Sequence, residues 1–400
     1  MKIALSRSQK NHIYVLFFLV PFLLGTCIDL YVPSLPAITV YFHTSQHMAQ
    51  LSIALYMLGY AIGQIFLGVL SDRWGRRKIL IIGGFLYTLV SFIAAFASNI
   101  DLLILCRLLQ GLTIAGPGVV FRALATDCFE GIELTKAVVC ISISWSLGPI
   151  LGPWIGGYLQ HYFNWQADFY FFGIFGLITF IYASLVLAET HRHPISLHPK
   201  AVFKTLSEII THPIFIIYAT INSLLYAMLV VFNTIAPFLI QIDLHYSAID
   251  YGRVALILGI GGLTGNLTNR FLINYLSANK IVFLALLLDV LVSLFMIIFG
   301  LGFKPYLSII VITTFFLFCA GGLGAPNTAA MCLNLFPKAA GTASALFGSL
   351  LALEVFIMSS LATLLPTHSQ TPMAFLFFAM SGVSLGLAIL GKKIKNRVQN

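Results

Sequence analysis

The chain has 400 residues, of which 59% are hydrophobic, 14% aromatic and only 9% charged, with a net charge of +9. A soluble protein is about one quarter charged, so this composition excludes a soluble enzyme, a disordered chain and a nucleic-acid-binding domain. Its bases are too sparse for the basic stripe that nucleic acid requires. What remains is a polytopic α-helical membrane protein, in which Lys and Arg mark the loops held in the cytoplasm. The cysteines Cys27, Cys106, Cys128, Cys140, Cys319 and Cys332 form no C-x-x-C pair. They read as small packing residues and not as a disulfide framework.

Membrane spans need about 20 mostly apolar residues. In chain order they are expected at 13–32, 49–70, 79–98, 102–121, 135–159, 167–188, 213–239, 252–274, 281–302, 306–327, 341–365 and 372–391. The first follows Lys2, Arg7 and Lys10; it is too long for a signal peptide and lacks a small-residue cleavage site, so it reads as a retained helix. With the N-terminus inside, 19 of the 22 Lys and Arg fall on inside loops and tails, against Arg253 and Lys304 outside. That split predicts both termini in the cytoplasm. The expected division is a six-span bundle over 1–188, a polar cytoplasmic loop over 189–212 and a second bundle over 213–400 with a short basic tail. Within the loop, His191 and His193 lack the clustered partners of a zinc site, and no metal or other cofactor is expected. An internal repeat supports the halving: Gly68-Val69-Leu70-Ser71-Asp72-Arg73 closes span 2 and Gly265-Asn266-Leu267-Thr268-Asn269-Arg270 closes span 8, 197 residues later. Parallel six-helix repeats mark transporters, which rock one half against the other around a central site.

The chemistry is concentrated in a few residues. Asp29 ends span 1, just before Tyr31 and Pro33; a carboxylate in an apolar, partly wet cavity can exchange its proton for a cation. The loop after span 2 gathers Asp72 with Arg73, Gly75, Arg76, Arg77 and Lys78, where an acid can pair with a base or face a helix N-terminus. Gly68 is expected to let span 2 approach a neighbour closely. Arg107 lies inside span 4 with Gln110 one turn on; arginine keeps its charge and needs acceptors nearby. Span 5 crowds Gly148, Pro149, Gly152, Pro153, Gly156 and Gly157. Spacing by four puts Gly148, Gly152 and Gly156 on one face, suited to close helix contact. Asp289 in span 9 and Glu354 in span 11 are the remaining in-span acids considered, and an ionisable group in a bilayer points to function. Glu354 is the better placed to bind a second proton or cation.

Together these segments resemble the major facilitator superfamily. Gly68 to Lys78 resembles its signature loop, G-x-L-[SA]-D-R-x-G-R-[RK]. Asp29-Leu30-Tyr31-Val32-Pro33-Ser34-Leu35-Pro36 resembles the end of helix 1 in the Bcr/CflA branch of drug efflux proteins. Arg107-x-x-Gln110-Gly111 is similar to the helix 4 motif, the Gly148–Gly157 segment to the helix 5 motif associated with antiporters, and Ala188-Glu189-Thr190 to the P-E-T end of helix 6. Pro326-Asn327 and Gly341-Thr342-Ala343-Ser344-Ala345 are similar to that branch's helix 10 and 11 segments. Two departures are Gln166 after Trp165, where relatives often carry Arg, and the acid-free run from Val15 to Leu24, which argues against strongly cationic substrates.

The resemblance implies a twelve-helix fold of two pseudo-symmetric six-helix bundles. It also implies a proton-coupling role for Asp29 and Arg107, and a latch between the halves from the signature loop with Asp127. The helix 5 glycine face would contact the other half. The cavity would be sketched by Tyr31, Gln110, Tyr226, Phe232, Asn233, Phe316 and Asn327, side chains suited to amphipathic, uncharged or weakly charged ligands. No phosphate loop or catalytic constellation is present, so the chain reads as no enzyme. The leading expectation is proton-coupled efflux of small drug-like compounds by a monomer in a bacterial inner membrane, with protons, substrate and lipid as partners. Export of an endogenous metabolite or siderophore, and proton-coupled uptake, use the same machinery; a receptor or scaffold would have no need of the in-span charges.

Overall fold

A computed structural model describes residues 6–190 and 206–399; the part of the expected linker over 191–205, with His191 and His193, and the N-terminal Lys2 lie outside them. Every regular element among the described residues is helical. The long helices are α1 (Arg7–Asp29), α2 (Gln46–Trp74), α3 (Arg76–Ala95), α4 (Ile100–Cys128), α5 (Gly131–Tyr162) and α6 (Gln166–Val186) in the first half. The second half has α7 (Pro213–Phe238), α8 (Ala248–Leu272), α9 (Ala278–Gly302), α10 (Leu307–Leu333), α11 (Ala340–Ala362) and α12 (Thr371–Gln399). Eleven of them are long and apolar enough to cross a membrane; α8 is the exception. It has the length, but Asp250, Arg253, Asn266, Asn269 and Arg270 dilute its apolar content.

Local chemistry sets the helix ends. Ser6 and Gln9 close a capping box at the start of α1, and Ser247 with Asp250 does so for α8. Asn99 accepts from Leu102 N–H at 2.8 Å to start α4. α1 ends at Asp29, and ahead of Pro33 the Tyr31 N–H bonds to the Ile28 carbonyl in 3₁₀ fashion. The chain passes through a 3₁₀ turn, Val32–Ser34, into a short helix, Leu35–Tyr41.

The chain divides into two compact units, Met1–Pro199 and Lys200–Asn400. Each repeats the same internal pairings: first helix on fifth, second on fourth, third on fourth and third on sixth. The repeat seen at Gly68 and Gly265 is therefore a repeat of packing as well as of sequence.

Small residues make these pairings close. A Cβ on Gly148 of α5 would fall on the backbone of Gly25 in α1, and one on Gly156 would fall on the Leu30 carbonyl. Between them, a Cβ on Gly152 would stand 3.1 Å from Leu30 N and 3.2 Å from Asp29 Cβ. The Ser144 hydroxyl adds a hydrogen bond to the Phe18 carbonyl. The glycine face of α5, expected against the other half, is thus taken by α1 of the same unit: periodicity defines a face but not its partner. A second correction concerns Gly68. A Cβ there would meet only Val119, at an ordinary 3.7 Å. The close approach of α2 to α4 is made by Gly59 and Gly63, whose added Cβ atoms would strike the Leu108 and Leu112 carbonyls.

Filling the α1–α5 contact should be costly. Gly148→Leu is expected to lose at least about 2 kcal/mol to overpacking. Gly386→Ala, which has nothing within 4 Å of the new methyl, should be near neutral. Thermal unfolding in detergent distinguishes the two.

Candidate functional site

The most charged buried position lies where α1 ends against α4. Tyr31 N–H bonds back to the Ile28 carbonyl at 3.2 Å, in 3₁₀ fashion, because the chain is turning toward Pro33. The Cys27 carbonyl is thereby released from the helical ladder, one of the orphan acceptors every helix end leaves. Arg107 takes it: Nη2 donates to Cys27 O at 3.0 Å, and Nη1 donates to Gln110 Oε1 at 2.9 Å. The guanidinium is also flanked by the rings of Tyr56, 4.4 Å from Cζ to centroid, and Tyr31, at 4.8 Å, contacts that favour a cation. Arg107 is 0% exposed. Its Nε makes no hydrogen bond, and among the described residues it forms no ion pair.

The network continues on both sides. Gln110 Nε2 donates to Ser91 Oγ at 2.8 Å, and Ser91 donates to the Tyr87 carbonyl at 2.7 Å. Tyr87 OH and Cys27 Sγ are 3.1 Å apart. Tyr31 OH and Ser52 Oγ share a hydrogen bond at 3.0 Å. Asp29 sits two residues beyond the Cys27 carbonyl and is 2% exposed; the partly wet setting expected for it is instead a packed one, beside Gly152. Tyr31, Arg107 and Gln110, chosen from sequence, thus fall in one buried cluster, and Asp29 is buried at the end of α1, against α5. A further buried acid carries no mark in the sequence. Asp168, in the first turn of α6, is 0% exposed and accepts from Ser34 Oγ at 2.5 Å. An acid in a first helical turn is ordinary, and only the packing reveals that this one is buried.

The signature loop forms a second network. Gly75 joins α2 to α3 with φ of 97°, a conformation that favours glycine. Arg76 donates through Nη1 to Asp72 Oδ1 at 2.5 Å and to Ser71 Oγ at 2.7 Å, and its Nε reaches Asp127 Oδ2 at 3.4 Å. One arginine therefore bridges the two acids. Glu189, beyond α6, accepts from the backbone N–H of Arg76 at 2.9 Å and of Arg77 at 3.2 Å. This caps α3 with a full negative charge at the positive end of the helix. Arg77 donates to the Leu187 carbonyl at 2.7 Å and the Ser184 carbonyl at 2.8 Å. Arg73 is exposed and stands outside this set. All of these bonds close within the first unit.

In the second unit the chosen residues are dispersed. Thr220 on α7 donates to Glu354 Oε1 at 2.9 Å. Asn233 Oδ1 accepts from Tyr251 OH at 3.1 Å, and Tyr226 is half-buried on α7. Phe232 packs against Tyr251 and Phe318, while Phe316 is 45% exposed. Asn327, expected on a cavity wall, spends its amide elsewhere. Its Nδ2 donates to Asn269 Oδ1 at 2.6 Å and to the Leu323 carbonyl at 2.8 Å, tying α10 to the repeat motif of α8. Asp289 is 0% exposed, and neither of its carboxyl oxygens meets a donor. Among the described residues no group of three potential metal ligands exists.

The capping role of Glu189 is directly testable. Glu189→Ala should destabilise the protein by about 1 kcal/mol, the usual loss for a helix cap, and Glu189→Gln by less, both read from thermal unfolding in detergent.

Residues 17–358 match the family described as the Major Facilitator Superfamily. A transporter of Rickettsia bellii is 30% identical over 367 residues, which cover 88% of this chain and 89% of that one. The bicyclomycin resistance protein homolog of Haemophilus influenzae is 26% identical over 364 residues, covering 90% of each chain. The crystal structure of a D-xylose-proton symporter superposes with a TM-score of 0.77 at 16% identity, covering 95% of this chain and 97% of the other, a likeness of fold.

Proposed function

The chain belongs to the major facilitator superfamily and is a transporter, not an enzyme; on that premise we propose that it exports small amphipathic compounds in exchange for protons. The observation that carries this reading is the buried Arg107, held against the Cys27 carbonyl at the end of α1, the helix that Asp29 closes. A fixed positive charge close to a carboxyl makes that carboxyl's proton sensitive to any second cation or dipole that enters. Proton release on substrate binding, and substrate release on protonation, are the two halves of antiport. Asp29 is the coupling acid in this reading and Arg107 its fixed counter-charge. Glu354, held by Thr220, is a further coupling group in the second bundle. Tyr226 and Asn233 serve the substrate.

A drug-like cargo is supported by the bicyclomycin resistance homolog at 26% identity. The Arg76 bridge between Asp72 and Asp127 closes within the first unit and, in this reading, holds the signature loop in the shape with which it latches the other half. The protein works as a monomer in a bacterial inner membrane with both termini in the cytoplasm, as the distribution of Lys and Arg favours.

The test is proton release from detergent-purified protein on adding members of an amphipathic compound panel. Wild type should release protons with at least one compound, and Asp29→Asn should bind that compound without release. Undiminished release from Asp29→Asn would move the coupling to Glu354.

A further inference from the structure

Arg107 is not the last arginine that α4 carries. Arg122 stands 15 residues on and is exposed, roughly 22 Å further along the helix. Its guanidinium lies against two rings, with Cζ 5.6 Å from the centroid of Phe121 and 5.7 Å from that of Trp145 on α5. Among the described residues no carboxylate pairs with it and no acceptor takes its N–H groups. Gly118, one turn earlier, shares the same face of α4. A Cβ there would stand 2.9 Å from the Tyr60 hydroxyl on α2 and 3.5 Å from Leu24 Cδ2 on α1. This face therefore looks onto α1, α2 and α5 and not onto lipid. Glycine lets the Tyr60 hydroxyl come so close, and that hydroxyl is buried with no hydrogen-bond partner. Helical side chains lean toward the N-terminus, so Arg122 runs back over the bare turn at Gly118, toward Tyr60.

The first unit offers this arginine no acid. Asp29 and Asp168 are buried, Asp72 and Asp127 are bridged by Arg76, Glu133 pairs with Lys10 at 2.7 Å, and Glu189 caps α3. Asp101 and Glu130 stand at helix starts, and α1 has no acid from Val15 to Leu24. A guanidinium steadied by ring faces still presents its N–H edges, in the fork that fits a carboxylate or a phosphate. We propose that Arg122 captures the anionic group of the cargo, with the Tyr60 hydroxyl as second donor, so that the exported compounds are amphipathic acids. This deepens the export reading given above and rests on its cargo being a small compound. In the orientation given there, Arg122 lies toward the cytoplasmic end of α4 and meets the cargo before Arg107 does. It sets which compounds enter and how tightly, while the proton exchange belongs to the Arg107 end. An acid leaving and a proton entering both carry positive charge inward, the direction that an inside-negative membrane potential favours.

The experiment measures binding to detergent-purified wild type, Arg122→Gln, Arg122→Lys and Tyr60→Phe by titration calorimetry. The probes are matched aromatic pairs, naphthaleneacetate with naphthaleneacetamide and phenylbutyrate with phenylbutyramide. Wild type should bind the acid of at least one pair about tenfold more tightly than its amide, the worth of one hydrogen-bonded charge pair. Arg122→Gln should lose that preference and leave amide binding unchanged. Arg122→Lys should keep part of it, having the charge without the fork. Tyr60→Phe, which leaves the charge in place, should weaken acid binding about threefold. No acid preference in any pair, or a preference that Arg122→Gln keeps, overturns the proposal. So does tighter binding of phosphatidylglycerol micelles by wild type than by Arg122→Gln without a preference for the acids, the mark of a lipid headgroup site. In vesicles, efflux of the acid should depend on a proton gradient. Acid-selective binding that Arg122→Gln loses, together with efflux indifferent to the gradient, removes the proton-coupled reading and supports the capture site.

Discussion

The constraint on which this bundle depends is the burial of one guanidinium. Arginine does not lose its proton inside a protein, so Arg107 must be met by acceptors wherever α4 carries it. The chain supplies a backbone carbonyl, a glutamine and two tyrosine faces. The carbonyl exists as an acceptor only because α1 unwinds ahead of Pro33. The unwound segment is held in place because glycines of α5 let the two backbones touch. Helix termination, helix packing and electrostatics are thus one arrangement: a larger residue at Gly148 or Gly156 would move the acceptor that Arg107 needs.

Much of this was legible in the sequence, for physical reasons. Asp29, Arg107 and Gln110 stand out because charges and amides are costly in a span. The glycine face of α5 is legible because spacing by four fixes a helix face. What the spacing cannot supply is the partner, and so α1 of the same bundle takes a face expected to meet the other half. Gly68 shows the same limit: its motif is plain, yet the close contacts of α2 are one and two turns earlier, at Gly63 and Gly59. Asp168 and Glu189 stay hidden because acids at helix ends are usually solvated; only tertiary packing turns one into a buried group and the other into a cap. Asn327 looks like a cavity amide until its partner Asn269, 58 residues away, is seen.

The two units share packing but not chemistry. Where the first carries Asp72 at the end of its second helix, the second carries Asn269 at the equivalent place, 197 residues on. Arg76 bridges two acids in the first unit, whereas an amide pair joins α8 to α10 in the second. The second unit keeps its acids apart, Glu354 with a threonine hydroxyl and Asp289 with no donor. This asymmetry leaves the buried guanidinium, on which the proposed coupling depends, in the first unit.

The central claim is that the Arg107 charge, and not merely its bulk, couples substrate to protons. The most direct measurement compares Arg107→Lys with Arg107→Leu in substrate-induced proton release from purified protein. Arg107→Lys should still release protons on binding, because a cation remains at the end of α1. Arg107→Leu should bind substrate and release none. Release from Arg107→Leu equal to that of wild type would contradict the account.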